Sequence, residues 1–432
     1  MKKLLYTLAV PVAILNIVAG MVCFRAESLS EGDDVNDSQQ IMENLDRLVE
    51  VMQIIRRNYV DADKISAVEM LRCAIAGLTL PLDPYSEFIP PEEMKTMDEY
   101  TEGSFGGVGM QVTTRNGVLT VVTTVLDTPA AKAGILPGDQ IVEIDGEDIG
   151  KLSSDGAVAR LRGEVGTAVK VGIRREGSEE LLHFELTREE IPIHTVRNTQ
   201  TLPGTRIGYI RITEFMSPTS GDFEKALRRL MDADGGIDSL IIDLRGNGGG
   251  LLQSAVEICS MFLGPDELVV TTEGRNQSIQ HAEKTLKESY RIPSTVALAV
   301  LIDGGSASAS EITASCLRDH GRATLLGTKS FGKGSVQTVQ HFSDGSGLKL
   351  TIAKYYTKNH HEIHGVGLTP DMTVEISDDE RNAIREELDE GRRIAIDPQI
   401  KAAIDFLSGR TEGNGGETGE TEKTGKTEKN GD

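Results

Sequence analysis

The sequence predicts a multidomain α+β protein with an α/β core of βαβ units and helical N- and C-terminal segments. Three observations lead to this prediction. Apolar residues recur at helical spacing from Ser38 to Tyr59, short β-like runs separated by glycine turns fill residues 103–190, and apolar strands alternate with helices from 191 to about 375. Because parallel strands need a crossover between them, the last pattern indicates a mainly parallel sheet.

The first residues resemble an export signal. Lys2 and Lys3 precede a mainly apolar run that reaches Val22, and a polar stretch follows. A charged start before a long apolar stretch is typical of exported proteins, and the length lies between a signal-peptide core and a membrane span. We interpret residues 1–27 as a signal peptide or membrane anchor. We therefore expect an extracytoplasmic protein (periplasmic or at the cell envelope), anchored there if the segment is retained.

Residues 28–95 are predicted to be an N-terminal helical segment. Its first helix carries one apolar stripe with alternating steps of four and three residues, which would either pair with another chain or pack on a second helix. The stripe consists of Ile41, Leu45, Leu48, Met52 and Ile55. The Pro-rich run "LPLDPYSEFIPPEEM" is expected to end the segment.

Two further domains and two terminal segments complete the predicted organisation. Residues 96–190 form a β-rich domain with one short helix at "TPAAKAG", and residues 191–376 form the α/β core. Within the core, helices are predicted at 219–231, 250–263 and 307–319. Residues 377–410 are helical again, and 411–432 read as a polar, low-complexity, disordered tail.

Composition excludes several classes of function. The chain of 432 residues has 45 basic and 67 acidic side chains and a formal charge of −22, which argues against a nucleic-acid partner. Four cysteines are widely spaced without a CxxC pair, so neither a disulfide framework nor a zinc site is indicated. We expect no metal and no organic cofactor.

The stretch "DGGSASASEITAS" places Ser306, Ser308 and Ser310 where an apolar strand gives way to a helix. Unpaired N–H groups at a helix start can hold the oxyanion of an acyl-transfer intermediate, so a serine there is a candidate nucleophile. The alternative is that these serines only cap and pack, since serine is a preferred N-cap residue.

A nucleophilic serine needs a base, and the histidines are poor candidates. His320 lies at the far end of the helix that Ser308 would begin, about 18 Å away at 1.5 Å per residue. His360, His361 and His364 could suggest a metal site, but no carboxylate or cysteine set completes it, and a solvated loop is the better interpretation.

Lys333 is the other candidate base, because it stands between Gly332 and Gly334 in a turn after a strand-like run. A free lysine has a pKa of about 10.4, and lowering it to about 7 costs roughly 4–5 kcal/mol, which burial can supply. Gln337 could then align the amine through its side-chain oxygen. The alternative is an ordinary exposed loop lysine.

The run "DLRGNGGG" at 243–250 follows a strand and opens a helix, so its glycines can expose N–H groups to a ligand. It fits neither phosphate-binding pattern, because no G-K-[ST] follows and Leu251 stands where the last glycine of G-x-G-x-x-G belongs. A second oxyanion donor is the better interpretation.

Together, "GSASASE", "FGKGSVQ", "DLRGNGGG", "DPYSEF" and "GSFGGVGMQV" resemble the carboxy-terminal processing (tail-specific) serine peptidases, in the family's order from Val51 to Phe406. The resemblance implies a crotonase/Clp-protease-like core with an inserted PDZ domain. It also implies a Ser/Lys dyad of Ser308 and Lys333 supported by Gln337. Ala309 would supply one oxyanion N–H, and either Gly248 or Gly249 the other.

The same resemblance implies that the domain at 96–190 binds an extended C-terminus as an added strand. The carboxylate would lie on a loop that includes Gly107, Val108, Gly109 and Met110. Arg162 matches a position that links peptide binding to the active site in relatives, and an ordinary turn arginine is the alternative. The segment "KNHHEIHG" departs from the family pattern, which puts substrate preference near it in doubt.

The function predicted from this resemblance is an exported serine endopeptidase, gated by its PDZ domain, that cleaves proteins with free, apolar C-termini. A homodimer through the terminal helices and an activating adaptor protein are further expectations. Two alternatives remain open: a catalytically silent PDZ scaffold, and a crotonase-like acyl-CoA enzyme, against which the export segment argues.

Overall fold

The computed structural model describes residues 34–413, except 62, 63, 65, 116, 276–278 and 388. The predicted export segment lies outside the described residues, as does the chain from residue 414 onward. Within the described part of the chain, no helix combines the length and apolar character that a membrane span requires.

The N-terminal segment contains three helices and one strand: α1 (Asp34–Asn58), α2 (Ala67–Thr79), β1 (Glu87–Ile89) and α3 (Pro91–Glu102). The apolar stripe of α1 is not buried by α2, because Ile41, Leu45 and Ile55 are 59%, 48% and 40% exposed. Helix α3 begins within the Pro-rich run that was expected to end the helical segment. Pro91 is its first residue, a position at which the missing N–H of proline costs no helical hydrogen bond.

The β-rich domain is built on an antiparallel sheet in the order β3-β4-β5-β7-β8, with β6 on β5 and a separate β2-β9 pair. Alternate residues such as Ile141, Val169, Val171 and Ile173 form its core. It contains a second helix, α5, that the sequence did not predict. The elements are β2 (Ser104–Gly107), β3 (Met110–Arg115), β4 (Val118–Thr124), α4 (Pro129–Lys132), β5 (Gln140–Ile144), β6 (Glu147–Asp148), α5 (Ser154–Leu161), β7 (Ala168–Arg174), β8 (Leu182–Thr187) and β9 (Glu189–Pro192).

The core domain has a six-stranded sheet in the order β10-β11-β12-β15-β16-β19, parallel except for β10. Helices α6, α7 and α8 cover one face, and α11 covers the other through Ile400, Ala403 and Leu407. Burial on both faces explains why the strands read as continuous apolar runs. The elements are β10 (Val196–Thr201), β11 (Ile207–Ile212), α6 (Thr219–Asp232), β12 (Ser239–Asp243), α7 (Leu252–Ser260), β15 (Ala297–Ile302), α8 (Ala309–Asp319), β16 (Ala323–Gly327), β19 (Met372–Thr373), α9 (Asp378–Glu386), α10 (Glu390–Ile396) and α11 (Pro398–Gly413).

A second, antiparallel sheet completes the core in the order β1-β18-β13-β14, with β17 also on β18. The sequence did not predict this sheet. Strand β1, which comes from the N-terminal segment, pairs with β18. The remaining strands are β13 (Leu268–Gly274), β14 (Ile279–Lys284), β17 (Ser335–His341) and β18 (Gly347–Tyr356).

The parallel sheet brings the three predicted motifs to one edge. Asp243 pairs with Leu301, and Ile302 pairs with Gly327, at the ends of β12, β15 and β16. The glycine loop, the serine turn and the lysine turn each follow one of these strands. Because the strands are parallel neighbours, all three loops leave the carboxyl edge of the sheet side by side.

Candidate active site

The serine turn joins β15 to α8 and holds Ser308 in a strained conformation. Ser308 is 1% exposed and has φ 57° and ψ −116° as the N-cap residue of α8. Such backbone geometry costs about 1–3 kcal/mol and persists only where the surroundings impose it. The constraint comes partly from Gly249, where a Cβ atom would lie 2.7 Å from the Cβ of Ser308.

The flanking serines bind the serine turn to neighbouring loops. Ser306 donates through Oγ to the carbonyl of Leu244 at 2.8 Å, and Ser310 donates to the carbonyl of Asn247 at 2.9 Å. Both serines are fully buried. Their hydroxyls therefore join the serine turn to the glycine loop, which is a more specific role than the packing and capping expected from the sequence.

The N–H groups of Gly248 and Gly249 in the glycine loop differ in whether they are already hydrogen-bonded. Gly249 donates its N–H to the side-chain oxygen of its neighbour Asn247 at 2.9 Å. The N–H groups of Gly248 and Ala309 donate to no acceptor among the described residues. A Cβ atom on Gly249 would lie 3.0 Å from the Ala309 nitrogen, so the loop packs directly against the start of α8.

Lys333 lies in the turn between β16 and β17 and is 7% exposed. Both flanking glycines are required by close backbone contacts: a Cβ on Gly332 would lie 2.9 Å from the nitrogen of Gly367, and one on Gly334 would lie 2.3 Å from the nitrogen of His364. An exposed loop lysine, the alternative left open by the sequence, is therefore not what the structure contains.

Burial is the largest cause that lowers the pKa of Lys333, to about 8, and the positive charge of Lys349 lowers it further. Glu87, Asp83 and Glu311 oppose this by stabilising the ammonium form. At pH 7 roughly a tenth of the molecules then carry a neutral amine. The amine lies 4.6 Å from the centre of the Tyr85 ring.

Gln337 is fully buried, and of its two side-chain amide atoms only the nitrogen is hydrogen-bonded within the described part of the chain. Its Nε2 donates to the hydroxyls of Ser335 at 2.9 Å and Thr351 at 3.0 Å. Its Oε1 accepts no hydrogen bond from any described residue. The contact between this oxygen and the lysine amine that the sequence suggests is thus not formed in this structure.

Glu311 connects the serine and lysine turns, and sequence reasoning missed it. One carboxylate oxygen accepts from the backbone N–H groups of Ser308 and Lys333, each at 2.9 Å. The other accepts from the N–H of Gly332 at 2.8 Å and from the Ser330 hydroxyl. Burial raises the pKa of this carboxyl although the hydrogen bonds oppose the rise. Its position three residues after an N-cap serine is a capping-box pattern that could have identified it.

The N-terminal motif "DPYSEF" also belongs to the site. The carboxylate of Asp83 accepts from the N–H groups of Tyr85 and Ser86 at 2.8 and 3.0 Å, and from the Thr351 hydroxyl at 3.2 Å. Thr351 is in turn the acceptor for Gln337. A segment some 250 residues before the lysine in the chain therefore forms one wall around it.

The predicted peptide-binding residues lie together at one end of the β-rich domain. Gly107 ends β2, Val108 is buried, and Met110 begins β3. Gly109 has φ 75°, and a Cβ there would lie 2.2 Å from Thr128, so the loop requires glycine. Among the described strands β3 pairs only with β4, which leaves its other edge open beside the N-terminal end of α5.

Arg162 ends α5 and stacks its guanidinium 4.3 Å above the Phe105 ring on β2. This contact ties it to the strand that leads into the peptide loop. The contact does not distinguish an ordinary turn arginine from one that links peptide binding to the active site, so that link stays a prediction. No group of three or more potential metal ligands occurs within the described residues, the region of His360, His361 and His364 included.

Comparison with known proteins adds independent observations. The family model of peptidase family S41 matches residues 206–374, and that of the PDZ domain matches residues 106–186. The carboxy-terminal-processing protease of Bartonella bacilliformis is 37% identical, covering 84% of this chain and 82% of its own. The carboxy-terminal processing protease CtpB of Bacillus subtilis is 36% identical, covering 77% and 68% respectively.

A third relative, the carboxyl-terminal-processing protease of Synechocystis, is 37% identical over 78% of this chain and 76% of its own. The solved structure of a photosystem II D1 C-terminal processing protease is 29% identical and covers 76% of this chain and 92% of that chain, with a TM-score of 0.45.

Proposed function

The chain belongs to the carboxy-terminal processing proteases of peptidase family S41, and on that premise we propose that Ser308 and Lys333 form its catalytic dyad. The observation that carries this proposal is the shared carboxylate of Glu311. One oxygen atom fixes the backbone of both residues, each at 2.9 Å, in a buried site where the pKa of Lys333 falls to about 8.

In the proposed reaction, the Ser308 hydroxyl attacks the scissile carbonyl carbon while the neutral Lys333 amine takes its proton. The carbon–nitrogen bond then breaks, and the lysine ammonium returns that proton to the leaving amine. Water then attacks the resulting acyl ester while Lys333 again accepts a proton. The bond between the acyl carbon and the Ser308 oxygen breaks, the lysine ammonium returns the proton to that oxygen, and the new carboxyl end is released.

The oxyanion of each tetrahedral intermediate would be held by the N–H groups of Ala309 and Gly248. Both groups are uncommitted among the described residues, whereas the N–H of Gly249 already bonds to Asn247. Gly249 then serves a steric role, since only a hydrogen atom fits between it and Ser308.

Gln337 would act after the first proton transfer. Its amide nitrogen is fixed by Ser335 and Thr351, and its buried oxygen is an unmatched acceptor in the described structure. The Lys333 nitrogen carries N–H donors in both protonation states, and the charged form makes the stronger hydrogen bond. A contact with this oxygen would therefore steady the ammonium for delivery of its proton.

We propose that the PDZ domain selects substrates by their free, apolar C-termini. The open edge of β3 offers unpaired backbone groups for an added strand. The loop from Gly107 to Met110 would bind the carboxylate of the substrate's C-terminus, and Arg162 would link peptide binding to the active site. Export through residues 1–27, dimerisation through the exposed stripe of α1 and the C-terminal helices, and an activating adaptor protein belong to the same proposal.

The family assignment makes the chain a serine-type protease. It therefore supports a protease over the two alternatives that the sequence left open, a catalytically silent scaffold and an acyl-CoA enzyme, and cleavage by wild type tests the first of these. The residues that carry the chemistry are the part that needs an experiment.

The test is cleavage of an unfolded protein with an apolar, free C-terminus by the full-length chain, followed on a gel. We expect wild type to cleave, and Ser308→Ala and Lys333→Ala to be inactive but folded. Ser315→Ala, a buried serine of the same helix, and Lys329→Ala, an exposed lysine of the same turn, are the matched controls and should cleave normally.

Amidation of the substrate's C-terminus should slow cleavage by wild type if the PDZ domain reads the carboxylate. Full activity of Ser308→Ala or of Lys333→Ala would overturn the dyad. Equal cleavage of the free and amidated substrates would overturn the recognition of C-termini while leaving the dyad intact.

A further inference from the structure

A buried ion cluster connects the glycine loop to the C-terminal helix. Arg245 begins the loop, and its Nη1 donates to the carboxylate of Asp397 and to the side-chain oxygen of Gln399, both at 2.8 Å. Its Nε and Nη2 donate to Asp243 at 2.9 and 2.6 Å. Tyr209 donates its hydroxyl to the same Asp243 carboxylate at 2.7 Å.

These charges are removed from water. The side chains of Arg245, Asp397 and Asp243 are only 11%, 7% and 0% exposed. Burial raises the pKa of Asp243, and the charge of Arg245 more than offsets this, so that carboxylate titrates below its usual range. A buried ion pair is weak evidence for stability, because desolvation offsets much of the attraction. The geometry of this ion cluster says more about its role than its contribution to stability does.

The C-terminal helix has its own attachment to the core. Ile400, Ala403 and Leu407 pack against the parallel sheet, and Gln399 also donates to the carbonyl of Val374 at 2.7 Å. Asp397 caps the helix through the N–H groups of Gln399 and Ile400. The helix therefore does not depend on Arg245 to stay docked, and its position can constrain the arginine.

Arg245 lies three residues before Gly248, one of the two proposed oxyanion donors. Asn247 donates to the carbonyl of Ile212 at 2.9 Å and accepts the N–H of Gly249. Its own carbonyl accepts from Ala307 and Ser310, both at 2.9 Å, in the serine turn. Gly248, the proposed donor, lies between these two fixed residues.

We propose that the Arg245–Asp397 pair positions the glycine loop for catalysis, so that helix α11 is a positioning element of the active site. This inference rests on the proposed oxyanion role of Gly248. The pair is formed between segments about 150 residues apart in the chain, so the C-terminal segment must be docked before the loop reaches its working geometry.

The test uses full-length Asp397→Asn, which keeps an oxygen to cap α11 but removes the charge that faces Arg245. We expect kcat to fall by roughly 10- to 30-fold, less than the ~100-fold or greater loss on removing an oxyanion donor outright. KM should stay unchanged. The inhibition constant of a peptide aldehyde, whose oxygen occupies the oxyanion site once Ser308 adds to it, should rise by a similar factor.

Two further variants keep the outcome interpretable. Gln399→Ala removes the neutral partner of Arg245 together with the hydrogen bond to Val374. It should lower kcat by a few-fold, so it serves if Asp397→Asn does not fold. Leu407→Ala is the matched control, because it weakens the packing of the same helix without touching Arg245. It should lower the melting temperature and leave kcat and the aldehyde inhibition constant unchanged.

The proposal is overturned if folded Asp397→Asn and Gln399→Ala keep the wild-type kcat and aldehyde inhibition. It is also overturned if Leu407→Ala reduces kcat as much as Asp397→Asn does, since loss of stability would then explain both. Failure of the proposed function looks different: Ser308→Ala would remain active, or wild type would not cleave.

Discussion

The serine turn and the lysine turn differ in what controls them. Ser308 is controlled by backbone geometry: its positive φ, the close contact of Gly249 and the hydroxyls of Ser306 and Ser310 leave it little freedom. Lys333 is controlled by its surroundings, since its pKa depends on burial and on charges from the N-terminal segment and β18. Of the two proposed dyad residues, Ser308 is therefore sensitive to shape and Lys333 to charge.

The largest expected effect comes from disturbing the backbone geometry around Ser308. Gly249→Ala would place a Cβ 2.7 Å from the Cβ of Ser308, so the serine turn must move. We expect kcat/KM to fall by about 100-fold or more, as for loss of an oxyanion donor. The matched control is Gly321→Ala in the same domain, which also has positive φ but open space around it. It should cost about 1–2 kcal/mol of stability and keep activity, and equal losses in both variants would contradict the steric argument.

The second prediction concerns the cost of keeping the lysine buried. The folded pKa of about 8 lies below the ordinary lysine value of 10.5, so the unfolded chain binds more protons between these values and stability rises with pH across that window. Below pH 8 the native state carries a penalty of up to about 3 kcal/mol.

Lys333→Met should therefore be inactive yet more stable than wild type at pH 7, and the stability difference should shrink above pH 10.5. Urea unfolding of both proteins at a series of pH values measures this. If the stability difference between Lys333→Met and wild type is the same at pH 7 as at high pH, burial does not destabilise the ammonium form of Lys333.

A smaller effect concerns the charges that set the pKa of Lys333. Lys349, 3% exposed on β18, lowers the pKa of Lys333, so Lys349→Met should raise it. We expect the rise of kcat/KM with pH to move up by about one unit, equivalent to about 1.4 kcal/mol. Lys354→Met, on the same strand but paired with Glu362, is the matched control and should leave the profile in place. A downward shift in Lys349→Met would refute the assignment.

The smallest effect has the opposite sign. The Tyr85 ring lies 4.6 Å from the Lys333 amine and favours its charged form through a cation–π contact worth about 0.5–1 kcal/mol. Tyr85→Leu should therefore shift the pH profile down by a few tenths of a unit. Upward movement in this variant, measured beside Lys349→Met, would show that the ring acts by packing alone.

The fold class and the protease family could be predicted from the sequence because local patterns and short motifs indicate both. Continuous apolar strands predicted the parallel sheet, and the flanking glycines predicted that Lys333 lies in a turn. Sequence reasoning missed α5, whose polar start gave a weak helical signal in a β-rich stretch, and the antiparallel sheet, whose strands come from distant parts of the chain. Glu311 was missed because an acidic residue early in a helix ordinarily faces solvent, whereas here it is fully buried.

The sequence by itself determined which residue types could perform acyl transfer and which loops carry them, because a nucleophile, a base and glycine donors must each be encoded at a position. Tertiary structure decided their relations. Parallel pairing placed three loops at one edge of the sheet. Burial and the neighbouring charges set the pKa of Lys333. Tertiary structure also joined Arg245 to a helix from the other end of the chain. Distances and burial depend on contacts between segments far apart in sequence, which no local pattern specifies.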